Sequence, residues 1–218
     1  MRADDLLAEA AHLARPCILL VSQPHPAGIA AIWGGSGGGR PNGGDTRHRL
    51  TLDCRFLPPD GAPLTGCISI YERAVRDATP RITHDPMATL PADVGSGIPL
   101  YPQSARSLPP LEALFRFGSP AIETWLMTQH WQRTWEYTDN FPDRRVANAY
   151  LQRYHAEHPL YTGAAFAVLG GWPFPWPDGD WEDLLDEQLL VWTLHDAEPW
   201  VEVWRDQLGN LHGIERVT

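Results

Sequence analysis

The 218-residue chain contains no lysine; its seventeen basic side chains are all arginine. Without a side-chain primary amine there can be no Schiff base with pyridoxal phosphate or a carbonyl substrate. A phosphate-binding loop of the kind that ends in lysine is excluded as well. Acidic residues outnumber basic ones, 27 to 17, for a formal charge of −10. Nucleic-acid affinity rests on phosphate contacts from basic side chains, so no nucleic-acid partner is expected, and a basic protein is the partner that the charge suits. Cysteine is scarce: Cys17, Cys54 and Cys67 are the only three. They form no C-x-x-C pair, and an odd, scattered set argues against a zinc ribbon or finger. Cys54 and Cys67 read as small buried apolar residues. No apolar run approaches the roughly 18 residues of a membrane span. Asp4 and Asp5 stand where a secretory signal would be basic. The expectation is a cytoplasmic protein with no membrane association, no metal and no cofactor.

What is present suits a globular chain. A sequence of this length buries roughly 70% of its unfolded surface and needs no disulfide or metal to fold. A helix is expected from about Asp4 to Ala14, with Leu6, Leu7, Ala10 and Leu13 on its apolar face and Pro16 as its stop. Short apolar strands follow at Cys17–Ser22 and Ile29–Trp33. The segment His48–Leu57 alternates strictly, Leu50, Leu52, Cys54 and Phe56 against Arg49, Thr51, Asp53 and Arg55, which marks a half-buried antiparallel strand. Leu64–Tyr71 alternates too, after a Pro-Pro-Asp-Gly turn signal. Residues 78–110 are punctuated by prolines and read as a long irregular loop. Helices are expected at Leu111–Phe117, from Ser119-Pro120 to about Gln132, and from about Pro142 to His155, where Val146, Ala147, Tyr150, Leu151 and Tyr154 recur at helical spacing. Strands return at Ala164–Leu169, Leu189–Leu194, Trp200–Arg205 and Leu211–Val217, the last two joined by an Asp206–Asn210 hairpin loop. No internal repeat is visible in the sequence. The expected fold class is α+β: antiparallel meanders at both ends, forming one or two sheets, with a central group of helices packed against them. This is read as one domain over 1–218, or as subdomains 1–75 and 105–218 joined by the Pro-rich loop 78–110.

Motif by motif, catalytic chemistry falls away. Gly34-Gly35-Ser36-Gly37-Gly38 fits the G-x-S-x-G of serine hydrolases. That elbow needs a helix directly after the serine, whereas Gly39-Arg40-Pro41-Asn42-Gly43-Gly44 continues as a loop. An EF-hand-type loop begun at Asp178 needs glycine sixth and glutamate twelfth, but Asp183 and Leu189 stand there. Asp178-Gly179-Asp180 therefore reads as a helix N-terminus. His155 and His158 lack the H-E-x-x-H spacing and suit a last helical turn. His84-Asp85 and His195-Asp196 are adjacent pairs, and neighbours on a strand point to opposite faces. A hydrolase would need at least two of His84, His195, Asp196 and Glu202 in one concave pocket. No catalytic residue is assigned.

Six of the ten tryptophans lie within 33 residues, from Trp172 to Trp204. Trp172, Phe174 and Trp176 sit on a proline-fixed loop, while Trp200, Glu202 and Trp204 share one face of a strand. Aromatic faces beside a carboxylate suit sugars, cationic groups or a partner's arginine. Trp172, Phe174, Trp176, Trp200 and Glu202 are therefore the candidate ligand-binding residues, while Trp192 and Trp204 read as core. From about Phe115 to Thr218, the runs F-R-F-G-S-P, A-V-L-G-G-W-P-F-P-W-P-D-G-D-W, L-L-D-E-Q-L-L-V-W-T and E-P-W-V-E-V-W resemble a set of uncharacterised conserved bacterial proteins. L-G-G-W-P with the later Leu-Leu, Asp-x-Glu and Trp order is also similar to the YwqG-like family of unknown function. Neither resemblance implies an activity or a site residue. The expected function is that of a non-enzymatic cytoplasmic binding protein, of immunity or accessory type, recognising a basic partner. The alternatives are a hydrolase with an unrecognised site and carbohydrate binding by the Trp-rich loop.

Overall fold

The computed structural model describes residues 1–35, 46–59, 63–73, 79–129, 142–157, 165–173, 184, 186–194 and 200–216. Phe174, Trp176, Ser36, the acidic run 178–183, His158, His195 and Asp196 lie outside them. In chain order the main elements are α1 (Ala3–Leu13), β1 (Arg15–Val21), β2 (Ala31–Trp33), β3 (Thr46–Asp53), β4 (Cys67–Arg73), β5 (Arg81–Asp85), β6 (Ile98–Ser107), α2 (Leu111–Phe117), α3 (Pro120–Thr128), α4 (Arg144–Glu157), β7 (Ala167–Gly170), β8 (Gln188–Thr193), β9 (Trp200–Arg205) and β10 (Leu211–Arg216). The chain divides into two compact units, each discontinuous in sequence.

The first unit comprises Met1–Pro16, Arg106–Gly163 and Gly171–Trp181 and carries the helices. Apolar residues at three- and four-residue spacing give it a core of Leu6, Ala10, Leu111, Leu114, Ile122, Leu126, Val146, Ala147, Tyr150 and Tyr154. α1 packs on α4, and α2 on α3. Helix ends are tied by residues distant in sequence. Ser119, before α3, makes no side-chain cap; its backbone N–H donates instead to Glu9 Oε1 of α1 at 2.9 Å. Arg106 Nη2 donates to the carbonyls of Ala11 and Ala14, at 3.1 and 3.3 Å, where α1 leaves its last carbonyls without helical partners.

The second unit comprises Cys17–Ala105, Ala164–Gly170 and Glu182–Thr218. Its strands form one ten-stranded sheet in the order β10-β9-β8-β7-β1-β6-β2-β3-β4-β5. Alternate residues turn to one face and make a single core, among them Leu20, Ala31, Trp33, Leu50, Leu52, Ile68, Ile70, Leu100, Leu169, Leu190, Val201 and Val203. Each such leucine, isoleucine or valine contributes about 1.5–3 kcal/mol on leaving water.

This corrects the expected fold class. Strands from both ends of the chain, together with β5 and β6 from the stretch between them, enter one antiparallel-rich sheet. Strand residues exceed helical ones, and the helices have a core of their own. Two causes misled the sequence reading. β5 and β6 lie inside the proline-rich stretch read as irregular, and β6 is an interior strand with Pro99 opposite Ile32. Proline cannot donate to a ladder, so its presence argues against a strand until the neighbours are known. The pairings of β1 with β7 and of β2 with β6 also join segments far apart in sequence, and no local periodicity encodes them.

The sheet has an internal repeat that the sequence hides. In the first set β6 adds to the β2 side of the meander β2–β5; in the second, β1 adds to the β7 side of the meander β7–β10. Ala31 pairs with Leu100 and Leu52, as Ala167 pairs with Leu20 and Thr193. Both leading strands run into two glycines at positive φ, Gly34 and Gly35 at 65° and 76°, and Gly170 and Gly171 at 65° and 87°. Each second strand carries a bulge at the same place, between His48 and Leu50 and between Leu189 and Val191. Backbone bonds repeat as well: Ala30 N donates to Leu100 O (2.8 Å) and Asp53 N to Ala30 O (2.9 Å), as Phe166 N donates to Leu20 O (2.8 Å) and Leu194 N to Phe166 O (2.8 Å). The last strands of the two sets meet. A Cβ on Gly213 of β10 would stand 2.7 Å from Pro80 Cγ and 3.2 Å from Ile82 Cδ1 beside β5. Ile82 and Gly213 hold equivalent places, opposite Ile70 and Val203, so the sheet curls until its two edge strands come into contact.

Candidate ligand site

On the sheet unit a cavity of about 550 Å³ is lined by Cys54, Arg55, Leu57, Pro58, Pro59, Pro63, Leu64, Gln188, Leu190 and Arg205. Its volume falls in the range of small-molecule sites, about 300–1,000 Å³. One wall is the segment after β3. Asp53 opens a short 3₁₀ turn over Cys54–Phe56 by accepting the Arg55 N–H, and the proline pair then fixes the chain. Pro58 packs against Gly170, where a Cβ would come within 2.5 Å of its Cγ. The opposite wall is β8 and β9, in which Gln188 and Arg205 are register partners and an Arg205 N–H donates to Gln188 Oε1. Leu190 and Cys54 belong to the apolar core, and Leu57 and Leu64 pack against it.

The cavity's chemistry is one of donors and apolar surface. Arg55 is held by Asp53 Oδ2 at 2.8 Å from Nε and 2.6 Å from Nη2, yet its side chain is 77% exposed. Among the described lining residues no Asp, Glu, His, Ser, Thr or Tyr occurs. The one sulfur nucleophile is inactive: burial pushes the Cys54 pKa up to about 12, so at neutral pH it is a thiol and not the reactive thiolate.

A second polar cluster lies on the other face of β3 and β4. His48 Nδ1 is 2.7 Å from Gly34 O, His48 Nε2 is 2.7 Å from Thr51 Oγ1, and Thr51 Oγ1 is 2.8 Å from Ser69 Oγ. A carbonyl only accepts, so Nδ1 carries the proton. Burial lowers the His48 pKa and keeps the ring neutral, so Nε2 accepts from Thr51, and Thr51 accepts from Ser69. Every proton in the chain has one direction, and all three side chains are buried. The cluster ties the β2 turn to β3 and β4 and presents no exposed nucleophile.

The sequence candidates scatter. Trp172 is only 2% exposed. Its indole N–H donates to Leu13 O at 2.9 Å, its backbone N–H to Ser107 Oγ at 3.0 Å, the Arg15 guanidinium carbon stands 3.5 Å from its ring centroid, and Phe117 is 5.7 Å away. It is a packed member of the helical unit. Trp200 is half-buried at the start of β9. Glu202 is 1% exposed and accepts from Trp204 Nε1 and from Arg216 Nε, each at 3.1 Å. Its carboxylate serves an internal ion pair. Trp192 and Trp204 are buried. His84 Nε2 bonds the Thr65 carbonyl at 2.8 Å on exposed surface. Among the described residues no group of three or more His, Cys, Asp or Glu is placed to hold a metal. The cavity was missed because its walls come from the residues after β3 and from β8 and β9, and only tertiary pairing brings these together; the alternation that faces Arg205 with Val201 and Val203 was its one local signal.

No protein-family model matches the chain. No curated protein matches it either. The functional reading therefore rests on the chain's own geometry. No helix among the described residues is long and apolar enough to cross a membrane.

Proposed function

We propose that the protein is a non-catalytic cytoplasmic binding protein whose ligand occupies the cavity between Cys54–Pro59, Pro63 and Leu64 on one side and strands β8 and β9 on the other. The observation that carries this is the lining. It combines an apolar floor with guanidinium and amide groups, and the described lining residues include neither a general base nor an ionised nucleophile. Buried Glu202 and Trp172 argue against the tryptophan face as the docking surface for a basic partner. The overall charge of −10 still favours a basic protein at some other surface as a second reading.

A thermal-shift survey of small molecules tests the cavity. At least one class of compound should raise the Tm of the wild type and leave that of Leu190→Arg unmoved, with no chemical conversion of that compound over hours. Turnover of the compound that is lost in Leu190→Arg would overturn the non-catalytic reading.

A further inference from the structure

Both guanidinium groups of the cavity are already engaged within the chain. Asp53, whose side chain is 8% exposed, accepts from Arg55 Nε and Nη2 with one carboxylate oxygen and from the Arg55 backbone N–H with the other. Arg205 donates to Gln188 Oε1, and both residues make further interactions within the chain. Neither arginine therefore needs a charge from a ligand. An anion would have to compete with Asp53 for Arg55, and a cation would meet no acidic side chain among the described lining residues. Either ion would also lose hydration on entry, a cost that only a counter-charge offsets. The rest of the described lining, apart from Gln188, is leucine, proline and a thiol held neutral by burial.

The ion pair with Asp53 also sets what Arg55 can offer. Asp53 takes donors on the edge of the guanidinium, which leaves the flat faces for stacking, and such faces stack on aromatic rings. The Phe56 ring centroid lies 5.9 Å from the Arg55 guanidinium carbon, yet the Arg55 side chain is 77% exposed, so there is room for a second ring. The wall beside it is stiff. Pro58, Pro59 and Pro63 have φ fixed by their own rings, and Pro58 is seated against Gly170. A preformed slot favours a rigid ligand over a flexible chain, which would lose rotamer freedom on binding. At about 550 Å³ the cavity has room for roughly two or three fused rings, since about 150 Å³ holds one benzene. Resting on the reading of this cavity as a binding site, we infer that its ligand is an uncharged fused-ring aromatic compound, stacked on the Arg55 guanidinium and seated on Leu57, Leu64 and Leu190.

Isothermal titration of the full chain at neutral pH tests this with 2-naphthol, its saturated counterpart decahydro-2-naphthol, 2-naphthoate and 2-naphthyltrimethylammonium. 2-Naphthol is expected to bind about tenfold more tightly than each of the other three. Arg55→Lys keeps the charge beside Asp53 but has no planar face, so it should weaken 2-naphthol about fivefold and leave the saturated alcohol unchanged. Leu190→Arg should abolish binding from the floor of the cavity. Leu64→Trp should do so from its half-buried rim, with a Tm close to that of the wild type. If the saturated alcohol or a charged analogue binds as tightly as 2-naphthol, or Arg55→Lys leaves 2-naphthol unchanged, while the two leucine variants abolish binding, the aromatic inference is wrong and the cavity reading stands. If none of the four binds, or neither leucine variant weakens binding, the inference falls together with the cavity reading.

Discussion

Glu202 gives the sharpest test of how the sheet unit is held. It sits mid-strand in β9, paired with Trp192 of β8 and Ile214 of β10. Its side chain is 1% exposed and that of Arg216 is 3% exposed, with Nε and Oε2 3.1 Å apart. At an effective dielectric near 20, opposite unit charges 4 Å apart attract by about 4 kcal/mol. Removing each ion from water costs several kcal/mol in return, so the intact pair contributes little net. Breaking it is different, because a buried charge then loses its counter-ion at a cost of about 3–5 kcal/mol. Glu202→Gln keeps the shape and one acceptor oxygen for the Trp204 indole but removes the charge opposite Arg216. With a urea m-value of about 1–3 kcal/mol/M, the midpoint should fall by about 1 M or more, read by far-ultraviolet circular dichroism. Glu202→Gln with Arg216→Gln should lie closer to the wild type than Glu202→Gln alone, since no charge remains unbalanced. A midpoint shift under about 0.3 M for the single variant, or strict additivity in the double, would refute this account.

Two further outcomes follow from the geometry. Gly66 has φ +80°, and a Cβ there would lie 1.9 Å from Asp85 O and 2.6 Å from Pro86 Cα. Gly66→Ala should therefore destabilise by more than the roughly 1–2 kcal/mol of left-handed strain alone, measured as a fall in urea midpoint. His48 has its pKa lowered by burial, so the unfolded chain binds the proton more readily than the fold does. Stability should be fully present above the unfolded histidine pKa, near 6.5, and decline as pH falls below it. Burial lowers the His155 pKa too, so His48→Gln should make the decline shallower without abolishing it; an unchanged slope between pH 7.5 and 5 would count against the buried neutral ring.

The sequence by itself determined the local elements. Helical spacing located α1 and α4, and strict alternation put Leu50, Leu52, Val201 and Val203 on the core face. The apolar run Leu189–Leu194 located β8, which is an interior strand. The absence of lysine settles the amine chemistry with no structure at all. Local pattern misjudged or left open whatever depends on partners distant in the chain. Pro99 and Pro102 made β6 look like loop, because a proline's tolerance in a ladder depends on which neighbour faces its missing N–H. Glu202 looked like a binding carboxylate, because the strand pattern gives its face but not Arg216 across the ladder. Trp172 looked like surface on the strength of nearby prolines, although Leu13, Arg15 and Phe117 enclose it. Tertiary structure alone decided that both ends of the chain share one sheet, that the sheet repeats, and that Leu57, Leu64, Leu190 and Arg205 line one cavity. Strand register carries that information, and register is a relation between segments, which composition and periodicity within any one segment cannot hold.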